Sequence, residues 1–207
     1  ASVGEFAAAV TSGIIGFEAA LQAVYKQAQI LEKTCLAGSM IAILGSPELY
    51  KHPCICQNSE LASVNFRSHF VISGSRSNMK YIEAFLKSEE IPHQVLAVSQ
   101  GFHSTCIDPA AEEFIGFTSS LSIHPPQLPY YSASGLHLAS AVHFWHCVRL
   151  PIHFQSTIEK MQRKGNFQFI DVGPSGTLAT FVKYILGPNS ASKTHTTLTP
   201  LKATLSL

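Results

Sequence analysis

A serine near the start of the chain has the neighbours that a nucleophilic serine requires. Ser2 lies between Ala1 and the pair Val3-Gly4, and an alanine-rich helical stretch follows. Small residues permit the strained strand-to-helix turn that exposes a nucleophile, and the helix N-terminus, with the Val3 N–H group, can stabilise a developing oxyanion. The same pattern also suits a serine that only caps a helix. Ser2 is therefore a candidate nucleophile.

A serine nucleophile needs a base to take its proton, and ten histidines compete for that role. His103 leads because it follows a predicted strand in the glycine-containing loop QGFHST, and loops of this kind often carry functional side chains. His69 and His143 stay open as alternatives, since residue types alone do not rank them.

The elements around Ser2 are predicted to be helical. Helices are expected over Glu5–Thr11 and Phe17–Thr34, and Gln27 flanks the predicted buried face of the second helix. That face comprises Phe17, Ala20, Leu21, Val24, Ala28 and Leu31. The first helix should therefore carry the serine turn at its N-terminus.

Beyond residue 99 the pattern alternates between strands and helices, which favours an α/β layer with parallel strands. Asp108 is expected to cap the first of these helices. Strands are predicted over Tyr130–Ser134, Phe167–Val172 and Thr196–Pro200, and helices over Ala110–Leu121, His137–Cys147, Phe154–Lys164 and Thr177–Leu186.

Residues 36–98 follow a different order, β-α-β-β-α-β, which is typical of a ferredoxin-like unit. Its strands are predicted over Met40–Leu44, Leu61–Asn65, Phe70–Ser73 and Gln94–Val98, with an amphipathic helix over Asn78–Ser88. We therefore predict a hydrolase-like parallel-sheet core, residues 1–35 and 99–207, with this smaller subdomain inserted.

Composition excludes several functional classes. A net charge of +1 with 13% charged residues leaves no basic stripe for nucleic acid. The apolar stretches are too short to cross a membrane, and five cysteines without a repeating pattern favour a reducing compartment, so we expect a cytoplasmic protein. Cys54 and Cys56 with His52 lack the second ligand pair of a structural zinc site, so no metal is expected.

Several segments resemble the malonyl-CoA:acyl-carrier-protein transacylase family, which includes the acyltransferase domains of polyketide synthases. Ser2-Val3-Gly4-Glu5 matches the end of the family's GHSxGE motif, and GFHS at 101–104 is similar to its AFHS motif, whose histidine is the base. Three more segments follow in family order: VNFRSHFVISG at 64–74, FWHCVRLPIHF at 144–154 and FIDVGPSGTL at 169–178. The resemblance covers nearly the whole chain.

The resemblance implies that acyl groups pass from the phosphopantetheine thioester of an acyl carrier protein or CoA to Ser2. It makes His103 the proton shuttle, places the Val3 N–H in the oxyanion hole, and puts Phe102 and Gln27 beside the substrate. It implies no metal and no diffusible cofactor. Family members begin with a further segment that contains a GQGxQ motif, so the resemblance also predicts an N-terminally truncated chain.

Three residues depart from the family, and one of them is Ala1, which replaces the usual histidine before the serine. Counting forward from Ser2, the arginine that binds the carboxylate of malonyl units falls on Gln27. A glutamine offers only neutral donors, which favours acyl groups without a terminal carboxylate. Cys147 stands where the family carries an asparagine or glutamine that orients the histidine, and a thiol is a weaker acceptor, so a backbone carbonyl could serve instead.

The missing arginine resembles the acyl hydrolases of trans-acyltransferase polyketide pathways, which release acyl chains from carrier proteins. We therefore predict hydrolysis of non-carboxylated acyl groups as a proofreading step. An acyl- or malonyl-CoA:acyl-carrier-protein transacylase and an inactive docking fragment are the alternatives.

Overall fold

The computed structural model describes residues 1–134 and 140–198. Its helices are α1 (Gly4–Thr11), α2 (Phe17–Thr34), α3 (Pro53–Cys56), α4 (Arg76–Ser88), α5 (Ala111–Ser119), α6 (Ala141–Arg149), α7 (Phe154–Gln162) and α8 (Thr177–Leu186). Its strands are β1 (Gly38–Leu44), β2 (Glu60–Phe66), β3 (His69–Ser75), β4 (His93–Val95), β5 (Gln168–Asp171) and β6 (Lys193–Thr196). Short 3-10 helices span Pro47–Lys51 and Thr105–Ala110. The predicted α/β class is confirmed.

Residues 38–95 hold a four-stranded antiparallel sheet in the order β2-β3-β1-β4. α4 covers one face, because Met79, Ile82 and Leu86 are spaced by three and four residues and pack on Ile41 and Ile72. The strand and helix order is that of the predicted ferredoxin-like unit, with a 3-10 helix and α3 between β1 and β2. The division of the chain near residues 35 and 98 stays a prediction.

The other elements pack around separate apolar clusters. α1, α2, α5 and α6 meet where Phe6 stacks on Phe144, with ring centroids 5.1 Å apart. α7 and α8 pack together through Phe154, Ile158 and Val182, and α8 covers the parallel pair β5-β6. Within the described residues, no helix combines the length and the apolar sequence that a membrane span requires.

α2 has the predicted bounds but buries a different face. Phe17 and Leu21, both expected inside, expose 64% and 60% of their surface, whereas Ala23 and Ile30 are buried. A small side chain such as Ala23 lets α2 approach α1 closely, which a phenylalanine on the same face would prevent. The buried face of α2 is therefore rotated about the helix axis relative to the predicted face. As a result Gln27, which was predicted to flank the buried face, lies in the interior.

The segment Tyr130–Ser134 is irregular, so the predicted strand there is wrong. The backbone N–H of Ala133 donates to the Glu5 carboxylate (3.0 Å), and its carbonyl accepts from the N–H of His153 (2.8 Å). A side chain and a loop therefore satisfy this backbone where a strand ladder was expected.

The bounds of three other elements also differ from the prediction. Asp108 lies inside a 3-10 helix and pairs with Arg149, so it does not cap α5, whose N-cap residue is Ala110. α6 begins after Ser140, whose side chain caps it, and the predicted helix residues 137–139 lie outside the described part of the chain. β6 ends at Thr196, and residues 199–200 of the predicted last strand are likewise outside.

Candidate active site

Ser2 lies on a strained turn that leads directly into α1. Its φ of +52° is in the left-handed region, which non-glycine residues seldom adopt. The turn is held by the N–H of Glu5, which donates to the Ser2 carbonyl oxygen at 2.8 Å. Val3 is the N-cap residue of α1, so its N–H has no acceptor within the helix and lies at the positive end of the helix dipole.

His103 is also in the left-handed region, with a φ of +60°, and is 2% exposed. Gly38, the first residue of β1, allows the histidine loop to pass close to the strand: a Cβ built on Gly38 would lie 2.2 Å from the Gly101 backbone nitrogen. The N–H of His103 donates to the carbonyl of Val148 at 2.9 Å. β1 and the end of α6 thus hold the histidine loop from two sides.

The structure brings the two predicted catalytic residues together, with Ser2 Oγ 3.0 Å from His103 Nε2. On the other side of the ring, Nδ1 lies 2.7 Å from the carbonyl oxygen of Leu150. A carbonyl only accepts, so Nδ1 carries the proton and the lone pair of Nε2 faces the serine hydroxyl. Burial lowers the pKa of His103 below its usual value, although the Leu150 bond opposes this, and the ring is held neutral as a base.

The hydrogen-bond partner of the Cys147 thiol is His143 and not His103, so the expectation that Cys147 orients the catalytic histidine is wrong. Its Sγ lies 3.3 Å from Nε2 of His143, and burial raises the pKa of the thiol to about 12. The orienting acceptor is the carbonyl of Leu150, just past the end of α6, where carbonyls lack helical partners. A backbone acceptor has no residue signature, and the predicted helix ended at Cys147, two residues before the observed end of α6 at Arg149.

Sequence reasoning also missed an ion cluster beside the histidine loop. Arg149 pairs with Asp108 through Nε and with Glu60 through Nη1 (3.5 Å). The other oxygen of Glu60 accepts from the backbone N–H and the hydroxyl of Thr105, both at 2.6 Å. This Arg149 clamp joins the end of α6, β2 and the 3-10 helix that follows His103. The feature of the sequence that could have indicated this clamp is the arginine within the FWHCVRLPIHF segment.

A second polar cluster lies behind the serine turn. Tyr130 donates its hydroxyl proton to the buried carboxylate of Glu5, and its oxygen lies 3.0 Å from His143 Nε2. Glu5, His143 and Cys147 place potential metal-ligand atoms within 4.8 Å of one another. Among the described residues, this is the group of three whose side chains could together bind a metal ion. His143, one of the alternative bases, is thus part of this cluster, whereas His103 contacts Ser2.

A cavity of about 560 Å³ opens beside Ser2 and His103, and Val3, Gln27 and Phe102 also line it. The rest of the lining is mostly apolar, including Val24, Leu31, Met40, Val71, Val148 and Phe181. Among its described lining residues there is no lysine or arginine. The cavity thus has the size and the apolar character of a small-ligand site.

An α/β fold that carries a serine on a turn into a helix, with a histidine as its hydrogen-bond partner, defines a class of proteins built for nucleophilic acyl chemistry. The chain belongs to the acyl transferase domain family, whose sequence profile matches residues 1–201. The resemblance drawn from the motifs is confirmed.

Relatives and solved structures agree with this assignment. The polyketide biosynthesis acyltransferase homologs BaeD of Bacillus velezensis and PksD of Bacillus subtilis are 45% and 42% identical over 97% and 96% of this chain. The chain spans 63% of the length of each. A malonyl-CoA acyl carrier protein transacylase from Coxiella burnetii superposes with a TM-score of 0.84, at 24% identity over 96% of this chain and 66% of that one.

The acyltransferase domain of SpnD, solved in complex with 2-(pent-4-yn-1-yl)malonyl, has the same fold. It superposes with a TM-score of 0.89 at 22% identity, over 99% of this chain and 50% of that one. These likenesses confirm the fold.

Proposed function

We propose that the protein carrying this chain acts on acyl thioesters of an acyl carrier protein through an acyl-Ser2 intermediate and most readily hydrolyses acyl groups without a carboxylate. The observation that carries the proposal is the Ser2–His103 pair beside an apolar cavity whose described lining has no lysine or arginine. The names of the Bacillus relatives support a place in polyketide biosynthesis. No metal or diffusible cofactor enters this chemistry.

The first half of the reaction transfers the acyl group to the serine. His103 Nε2 takes the proton of Ser2 Oγ as the oxygen attacks the thioester carbonyl carbon. The carbonyl oxygen becomes an oxyanion, which the Val3 N–H and the helix dipole of α1 stabilise. The C–S bond then breaks, and the proton on His103 passes to the departing phosphopantetheine thiolate.

The second half returns Ser2 to its free form. Nε2 of His103 removes a proton from water as the oxygen attacks the acyl-serine carbonyl, and the proton then passes to Ser2 Oγ as the ester bond breaks. The products are the free acid and the unmodified serine. If a carrier-protein thiol takes the place of water, the same steps give transacylation.

The cavity supports the preference against carboxylated chains. A malonyl carboxylate placed there would lose its bound water and would meet no lysine or arginine among the described lining residues. The amides that line the cavity, including that of Gln27, are neutral. Removing the charge partner of a buried carboxylate costs roughly 2–5 kcal/mol. An acetyl or butyryl group carries no such cost.

The test measures, with the full protein, whether the acyl group is released as free acid or transferred to a second carrier protein. We expect incubation with butyryl-carrier protein to release butyrate, malonyl-carrier protein to react far more slowly, and Ser2→Ala to abolish release. Rapid transfer of malonyl to a second carrier protein would instead establish the transacylase. If neither reaction occurs and a fluorophosphonate fails to label Ser2, the inactive docking alternative holds.

A further inference from the structure

One polar hydrogen-bonding group in the cavity lacks a partner. Gln27 is 6% exposed, and its Nε2 atom is buried without a hydrogen-bond acceptor among the described residues. It lies in the same cavity as Ser2 and His103. Because burying a donor without an acceptor destabilises a protein, such a group calls for an explanation.

The other polar side chains that line the cavity are already engaged. Ser63 donates to the Asn65 amide oxygen at 2.5 Å, and Asn65 Nδ2 lies 2.9 Å from His69 Nδ1. Ser2 and His103 bond to each other. The Gln27 amide is therefore a free donor in a lining that is otherwise apolar or internally satisfied.

A free donor of this kind distinguishes between ligands. A hydrocarbon chain that fills the cavity excludes water and leaves the Gln27 N–H groups unpaired. A chain with a keto or hydroxyl oxygen within reach supplies the missing acceptor without bringing a charge that the cavity cannot neutralise. Sites that hold a buried polar group discriminate strongly against ligands that fail to pair it.

We propose that Gln27 Nε2 donates a hydrogen bond to an uncharged keto or hydroxyl oxygen on the acyl chain, so that oxygenated chains are the preferred substrate class. This inference rests on the proposed function of the Ser2 site. It narrows the substrate from any non-carboxylated chain to one that carries a neutral oxygen beyond the thioester.

The experiment uses chains of equal length on the carrier protein: hexanoyl, 3-oxohexanoyl and 5-oxohexanoyl. In the unaltered protein we expect at least one keto chain to have a kcat/KM about tenfold above that of hexanoyl. Gln27→Met keeps the side-chain volume and removes the donor, and it should remove this ratio. Gln22→Met is the matched control, because Gln22 is exposed on the same helix, and it should leave the ratio unchanged.

Two further measurements separate the possible failures. Isothermal titration of the Ser2→Ala protein with the same chains as pantetheine thioesters reads the preference without turnover, and Gln27→Met in that background should lose it. The melting temperature of Gln27→Met should equal or exceed that of the unaltered protein, because the substitution removes an unsatisfied donor; a drop would indicate a structural role and overturn the proposal.

If no chain acylates Ser2, the proposed function fails, and the titration still decides the role of Gln27. If all three chains turn over or bind with ratios that Gln27→Met does not alter, the inference fails while the proposed function stands.

Discussion

Ser2 and His103 share a backbone conformation that is costly for residues with a side chain. Both have positive φ angles, +52° and +60°, and each costs on the order of 1 kcal/mol. Backbone hydrogen bonds stabilise both strained conformations: the N–H of Glu5 donates to the Ser2 carbonyl, and the Val148 carbonyl accepts from the N–H of His103. Two strained residues in hydrogen-bond contact are typical of a site where geometry is retained at the expense of stability.

Gln27→Arg should place a guanidinium in a cavity whose described lining has no lysine or arginine. We expect malonyl loading on Ser2 to rise about ten- to hundredfold relative to acetyl, because a guanidinium gains roughly 1.5–3 kcal/mol from a charge-assisted pair with the carboxylate. Mass spectrometry of the acyl-serine, with malonyl- and acetyl-carrier protein in competition, measures the ratio. The exposed Gln22→Arg is the control, and an unchanged ratio in Gln27→Arg would place position 27 away from the acyl group.

The pH dependence of the reaction should report the environment of His103. The base must be neutral to take the serine proton, so kcat/KM should fall as pH drops through its pKa. Burial lowers that pKa below its ordinary value of about 6.5, so the acid limb of the profile should have its midpoint below pH 6.5. A profile measured with butyryl-carrier protein tests this, and a midpoint above 6.5 would contradict it.

At the scale of elements, the end of α6 is what positions the histidine. The carbonyls of Val148 and Leu150 accept from the backbone and the ring of His103, respectively. The Arg149 clamp fixes this helix end against β2 and the 3-10 helix, because the Arg149 side chain is 17% exposed and its guanidinium contacts Glu60 and Asp108. The clamp therefore acts on the reaction through the position of His103.

Arg149→Met should lower kcat about tenfold with a smaller change in KM, because the base is displaced while the cavity remains. The free energy of unfolding should fall by about 1–2 kcal/mol, a modest amount since the partner carboxylates are partly exposed and screened. Steady-state kinetics and urea unfolding measure both effects. Arg76→Met, at the exposed start of α4, should change neither; an unaltered kcat in Arg149→Met would refute the positioning role.

At the scale of the whole molecule, three histidines make stability depend on pH. Burial lowers the pKa of His69, His103 and His143 in the folded state. Well above pH 6.5 these residues are neutral in both states and contribute nothing to the pH dependence. Below that, the unfolded chain binds protons that the folded chain does not, so the free energy of unfolding should fall as pH drops.

Urea unfolding at pH 7.5 and 5.5 measures this loss. His69→Gln should reduce the difference between the two pH values, because one buried titrating group is gone, whereas His124→Gln, at an exposed position, should leave it unchanged. Equal stability at both pH values would contradict the prediction.

The sequence by itself determined the family, the α/β class and the pair Ser2 and His103. These rest on signals that are local in the chain: motif residues, turn residues and helix periodicity. The bounds of α2 and α8 were predicted to the residue for the same reason. The order of strands and helices between residues 38 and 95 also followed from local patterns.

Only the tertiary structure decided which groups complete the site. The acceptor for His103 is a backbone carbonyl of Leu150, which any residue type could supply, so Cys147 was the wrong choice. The burial of Gln27 depended on how α2 rotates against α1, which periodicity cannot set when apolar residues flank both sides of the face. The Arg149 clamp joins residues 41 and 89 positions apart, and such contacts are formed by packing between elements rather than by any local pattern.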